Sequence, residues 1–178
     1  MKSAIHCLLV TLLVFTSLQA AGLPPQNGSQ QPVAKAQEKK AKSAQPFRIF
    51  NPASIAKPTG YSHVAEVNGG KIIYIAGQVA LDKSGNLVGK DDFRAQVQQV
   101  FENLKAAVEA TGGDFNSVVK LNYYCAESVD PAQITVVREV RDKYVNTANP
   151  PVSTFVFVKR LVRPEWMIEV EAVAVVKK

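Results

Sequence analysis

Cysteine and histidine are nearly missing from this chain. Its 178 residues hold two of each: Cys7, Cys125, His6 and His63. There is no HExxH, no CxxC and no glycine loop of the kind that cradles phosphate, so no metal or nucleotide motif is visible. Gly69-Gly70 and Gly77-Gln78 are too isolated to count. No internal repeat is present. Cys7 lies in an N-terminal apolar segment. If that segment is removed, Cys125 is the lone thiol and no intrachain disulfide can form. Cys125 ends a β-like run with no histidine near it in sequence, which is the setting of a packed core thiol rather than a nucleophile.

A basic face on the fold is also lacking. Net charge is +6, with a pI near 9.3. Residues 1–46 carry five lysines against Glu38 alone, whereas residues 47–178 carry sixteen basic and fourteen acidic residues. The basicity belongs to the N-terminal segment. A nearly neutral domain argues against a nucleic-acid partner, which needs clustered positive charge.

The chain opens MKSAIHCLLVTLLVFTSLQAAGL. One lysine, an apolar run and then small residues have the form of a secretory signal peptide over 1–22, with cleavage after Gly22. That run is short for a membrane span; an uncleaved anchor is the alternative. Export places the protein in the periplasm or outside the cell. Residues 23–46 are rich in Gln, Lys, Ala and Pro, cannot bury enough apolar surface to offset ordering entropy, and read as a linker.

From residue 47 onward the pattern is that of one domain. HVAEV and KIIYIAG read as strands joined through Asn68-Gly69-Gly70 as a hairpin, and Ser84-Gly85-Asn86 reads as a turn. Phe93, Val97, Val100, Phe101, Leu104 and Val108 form a helical stripe, capped by Asp91 or Asp92 and ended by Gly112-Gly113. A strand follows over 117–125. Asp130-Pro131 then starts a second helix with a stripe of Ile134, Val137, Arg141, Tyr144 and Val145. Strands over 153–161 and 166–176 close the chain. The order β-β-α-β-α-β-β implies an α+β layer with both helices on one sheet face. The other face is left bare, and a symmetric oligomer would cover it.

Alternation in the last strand puts Ile168, Val170, Ala172, Ala174 and Val176 on one face, and Met167, Glu169, Glu171, Val173 and Val175 on the other. Two carboxylates among apolar neighbours must be paired, hydrated or used. One reading is a salt bridge to Lys159, Arg160 or Arg163. The other is an acid or base in a cleft.

GYSHVAEVNG (60–69), IYIAGQVALDKSGNLVG (73–89), QVQQVFENLKAAVEATGG (96–113), PPVSTFVFVKRL (150–161) and IEVEAVA (168–174) together resemble the YjgF/RidA family. That family includes 2-iminobutanoate/2-iminopropanoate deaminases and proteins once called L-PSP endoribonucleases. The resemblance spans about residues 50–177 and is more specific for fold than for activity. It implies a chorismate-mutase-like fold, a homotrimer with a central barrel, small-molecule clefts between subunits, and no cofactor. Carried over, Tyr61 and the turn residue Gly77 line the cleft, and Glu169 works with the attacking water. Where deaminase members have an arginine that grips the substrate carboxylate, this chain has Ser153, followed by Thr154.

A bidentate arginine–carboxylate pair contributes a few kcal/mol at a desolvated site, and one neutral hydroxyl bond does not replace it. Lys159 shares the strand face of Ser153 but lies roughly 20 Å along at about 3.3 Å per residue. Arg163, in the following loop, is the cation that could reach a neighbour's cleft. Three classes follow. One is a hydrolase acting on a substrate without that carboxylate, using Glu169, Tyr61, Ser153 and Thr154. The second is a non-catalytic binding or scavenging module with the same cleft. The third is a ribonuclease, against which the near-neutral domain argues.

Overall fold

A computed structural model describes residues 45–177. The signal-peptide expectation, and the linker up to residue 44, lie outside the described residues. Among the described residues no helix is long and apolar enough to cross a membrane. Eight elements follow in order: β1 (Phe47–Phe50), β2 (Val64–Val67), β3 (Lys71–Gln78), α1 (Phe93–Glu109), β4 (Val118–Ala126), α2 (Ile134–Arg141), β5 (Val152–Val158) and β6 (Ile168–Val176). β1 is a strand additional to the expected series.

The main sheet has the order β3-β6-β4-β5. β6 runs antiparallel to both of its neighbours, while β4 and β5 are parallel. A parallel pair needs a crossover, and α2 supplies it. The expected hairpin is not formed. Gly70 does turn the chain at φ +85°, yet the strands flanking the turn take different partners. β2 pairs with β1, from Phe47↔Val67 to Phe50↔Val64, and β3 joins β6. An Asn-Gly signal specifies a turn, not a ladder. β3 gains more by lying beside the apolar β6, where Ile75 is buried opposite Ala172. The carbonyl of Pro46 accepts from the Asn68 and Gly69 N–H groups at 2.7 and 3.1 Å.

The helical stripe of α1 is buried as its spacing requires: Val97, Val100, Phe101, Leu104 and Val108 are inaccessible to solvent. Asp92 caps the helix and accepts from the Ala95 N–H at 3.0 Å. Replacing it with alanine strands that donor, and Asp92→Ala is expected to cost about 1 kcal/mol, read as a lower midpoint in urea with an unchanged slope. The helix also carries the fully buried Gln96. Its amide donates to the carbonyls of Gly89 and Glu165, and its oxygen accepts from the Met167 N–H. One side chain thus fixes the entry to β6 two residues before Glu169.

β6 alternates as expected. Ile168, Val170, Ala172 and Ala174 enter the core beneath both helices, with Val137 and Val140 of α2. The stripe of α2 is shorter than expected, since the helix ends at Arg141 and Tyr144 and Val145 follow it. The sheet face away from the helices is uncovered: Tyr74 is 80% exposed, and Ile72 and Val156 are exposed with it. Cys125 is buried, and burial pushes its thiol up to about 11. It is a core residue and a poor nucleophile.

Candidate functional site

The pleat decides which side chains can meet. β4 and β5 run in register with Leu121↔Ser153, Asn122↔Thr154 and Tyr123↔Phe155. Leu121 and Tyr123 belong to the core, so Ser153 and Phe155 face the helices. Thr154 alternates to the other face, which it shares with Asn122 and the glutamates of β6. The PPVST stretch is therefore both an edge strand and a wall. Ser62 is buried, and its N–H donates to the Pro151 carbonyl at 3.3 Å, which draws the 59–62 segment against the start of β5.

A cavity of about 350 Å³ opens there. Tyr61, Ser153 and Thr154 line it, together with Gly60, Tyr123 and Phe155. Helix α2 closes the far side with Ile134, Val137, Arg138 and Arg141. The ring of Tyr61 meets His63 edge-on at 5.4 Å. Arg141 is largely buried and held at both ends of its fork. It donates through Nη1 to the Gly60 carbonyl at 2.5 Å, and through Nε and Nη2 to Asp142 Oδ1 at 2.9 and 2.6 Å. Tyr123 is 3% exposed, and its hydroxyl has no hydrogen-bond partner among the described residues. Burial pushes its phenol far above the ordinary value, opposed by the charge of the neighbouring Arg141 and by that guanidinium's approach to the hydroxyl. It is a neutral donor at any physiological pH.

Gly77 and Glu169 meet elsewhere on the same chain. β3 and β6 pair through Ile75↔Ala172 and then Gln78↔Val170, so β3 carries an extra residue just before its end. This bulge re-aims the strand at Gly77. A Cβ on Gly77 would overlap Oε1 of Glu169, and would stand 2.7 Å from Cδ and 2.8 Å from Cγ. The carboxylate of Glu169 lies over the bare glycine. Among the described residues it has no hydrogen bond and no ion pair.

Glu171 differs. Asn122 donates to it at 2.6 Å and the Tyr124 hydroxyl at 3.3 Å, both from β4. Desolvation, followed by the charge of Glu171, pushes the Tyr124 phenol above its ordinary value. Neither glutamate pairs with the basic residues expected. Lys159 pairs with Glu127 at 3.4 Å. Arg160 turns onto the Leu161 and Val162 carbonyls, and Arg163 lies over the Trp166 ring. Those three follow β5 on its way to β6, and their contacts lie with Glu127, the Leu161 and Val162 carbonyls and Trp166 rather than with the carboxylates of β6.

The structure thus brings the five candidate residues together as two groups. Tyr61, Ser153 and Thr154 surround the cavity, while Gly77 and Glu169 form a separate surface. Arg138 and Tyr123 are cavity residues that the sequence reading did not pick out, and Arg141 was read only as part of the α2 stripe. For the two arginines a signal existed: positions 138 and 141 are three apart and adjoin the stripe positions 134 and 137 on one helix face. No group of three or more potential metal ligands occurs among the described residues.

These features define a class: a chorismate-mutase-like α+β domain with both helices on one sheet face and a cavity at the sheet edge. Residues 52–176 match the family described as Endoribonuclease L-PSP. A RutC family protein from Pyrococcus horikoshii is 38% identical over 120 residues, covering 66% of this chain and 89% of the relative. A 2-iminobutanoate/2-iminopropanoate deaminase from Dermatophagoides farinae is 29% identical over 133 residues, 74% of this chain and 98% of the relative. The crystal structure of the Rid-family protein YyfB from Yersinia pestis is similar with a TM-score of 0.66 and 33% identity, covering 74% of this chain and all of that one. The chain belongs to the YjgF/RidA family.

Proposed function

We propose that this protein is an exported, cofactor-independent imine hydrolase whose reaction cleft forms between subunits of a homotrimer. One subunit contributes the cavity lined by Tyr61 and Ser153, and its neighbour contributes Glu169 over Gly77. The observation that carries this reading is the carboxylate of Glu169. It is half-buried, unpaired among the described residues, and held against a glycine whose lack of a side chain makes room for it. A carboxylate kept without a partner is costly, and that cost is sensible where water and substrate become its partners. The bare sheet face with Tyr74 supports assembly, as does membership of a family whose members form homotrimers.

The chemistry needs only water. Glu169 takes a proton from water as the oxygen bonds to the imine carbon, and the C=N π pair moves to nitrogen. That proton passes to nitrogen. The hydroxyl proton then passes to nitrogen through Glu169, and the C–N bond breaks with loss of ammonia as the oxygen forms the carbonyl. Tyr61 positions the substrate from the cavity side.

The absence of an arginine at Ser153 favours a second reading, in which the same cleft binds a small molecule without turning it over. Hydrolysis of 2-iminobutanoate, generated in situ and followed against a nucleophilic trap, separates the two. Turnover by the full chain above the rate in buffer is expected. A rate equal to buffer, with the ligand still bound, would establish the binding module instead.

A further inference from the structure

The absence of an arginine at Ser153 implied a substrate without a carboxylate. The charges around the cavity point the other way. We propose that Arg138 on α2, with the hydroxyls of Tyr123 and Ser153, forms an anion site that holds the carboxylate of a small organic acid. This rests on the intersubunit-cleft reading and names the substrate class of that cleft.

The charge balance of the cavity is the first support. Among the described residues no aspartate or glutamate lines it, and two arginines do. They converge at one point: a Cβ placed on Gly60 would stand 3.5 Å from Nη2 of Arg141 and 3.8 Å from Nε of Arg138. Gly60 sits at φ +78°, so its chain segment turns tightly under both guanidinium groups. Two like charges at this separation repel unless each has a counter-charge. Arg141 has one in Asp142. Arg138 has no ion pair among the described residues. One positive charge is left over, at the cavity wall, and an anion is what balances it.

Tyr123 gives independent support. Its buried hydroxyl lies beside the Arg141 guanidinium yet makes no well-formed hydrogen bond, and leaving a buried hydroxyl unbonded costs about 1–3 kcal/mol. The Tyr123 ring is fixed, stacked on Phe155 at 5.3 Å, and both residues line this cavity. A bound acceptor would satisfy the hydroxyl. With the phenol held protonated it donates and does not compete as an anion. Ser153, on the same sheet face, adds a second neutral donor. Ile134, Val137 and Phe155 form an apolar wall for the body of the ligand. The volume is at the small end of ligand pockets, which suits an acid of a few carbons rather than a nucleotide.

Arg138 therefore sets specificity from the helix side, and the serine in β5 leaves the space open. Arg141 acts as a positioning residue, because its fork is already spent on Gly60 and Asp142.

Calorimetric titration of the full chain with 2-oxobutanoate and with its neutral amide tests this. The parent is expected to bind the acid at least about tenfold more tightly than the amide. Arg138→Gln is expected to lose about tenfold for the acid and little for the amide, and Arg138→Lys to recover part of the preference. Arg138 is exposed, so its removal leaves the core intact, and an unchanged melting curve checks this. Equal binding of acid and amide by the parent, or unchanged acid binding by Arg138→Gln, would overturn the anion site while leaving the cleft. Binding of neither probe would overturn the anion site and the cleft reading together.

Discussion

Glu169→Gln is expected to lower imine turnover by about 10²–10⁴-fold, the usual share of a positioned acid–base group. The substitution keeps the shape of the side chain and removes only its charge and its ability to take a proton. The carboxylate makes no hydrogen bond or ion pair among the described residues, so the fold loses no polar contact. Its melting temperature should stay within about a degree or two of the parent's, in line with a surface change of a few tenths of a kcal/mol. Steady-state hydrolysis of 2-iminobutanoate, set beside thermal unfolding, reads both quantities. Turnover within a factor of two of the parent would remove Glu169 from the reaction.

Gly77→Ala is expected to reduce turnover by about 100-fold, although the residue does no chemistry. The new Cβ would overlap Oε1 of Glu169 and crowd its Cγ and Cδ. The side chain must swing away, and displacement by about 1 Å costs on the order of 10² in rate. Gly77 does not adopt a positive φ, so alanine adds no backbone strain and the effect is local. Gly69→Ala is the control. That glycine lies nearby in sequence, a methyl group added to it would meet nothing within 4 Å, and the rate should be unchanged. A Gly77→Ala protein as fast as the parent would mean that the carboxylate does not act from its observed position.

Much of this architecture was legible in short-range pattern. The α1 stripe, its Asp92 cap and the alternation of β6 depend on periods of 3.6 and 2, which a sequence displays directly. Alternation alone put Glu169 and Glu171 on the face away from the core. Long-range pairing was not legible in the same way. The four residues of β1 are too few to show a period, and nothing local says that Val64–Val67 pairs backward with them instead of forward across Gly70. The partners of Glu171 were missed for a related reason. Asn122 and Tyr124 face it only because β4 lies beside β6 in that register, and a search for basic partners overlooked neutral donors.

The arginines of α2 carry a different lesson. Alignment by motif asks what stands at one position and reports Ser153. Cavity charge, however, depends on every element that reaches the space, and α2 crosses over the start of β5 because the parallel β4–β5 pair requires a crossover. A charge missing from one strand can be supplied by a helix that precedes it in the chain.

The division of the candidate residues into two groups is what most sharply separates a shared cleft from a site within one chain. Co-expression of two differently tagged inactive chains, Glu169→Gln and Tyr61→Phe with Arg138→Gln, tests it directly. Each chain keeps the half that the other has lost. If the halves meet across a subunit boundary, mixed trimers purified through both tags regain about a third of parent turnover, because a ring of three holding both kinds of subunit has one intact cleft among its three. If both halves belong to one chain, every site in the mixture is defective, and turnover no higher than that of either variant alone would contradict the intersubunit cleft.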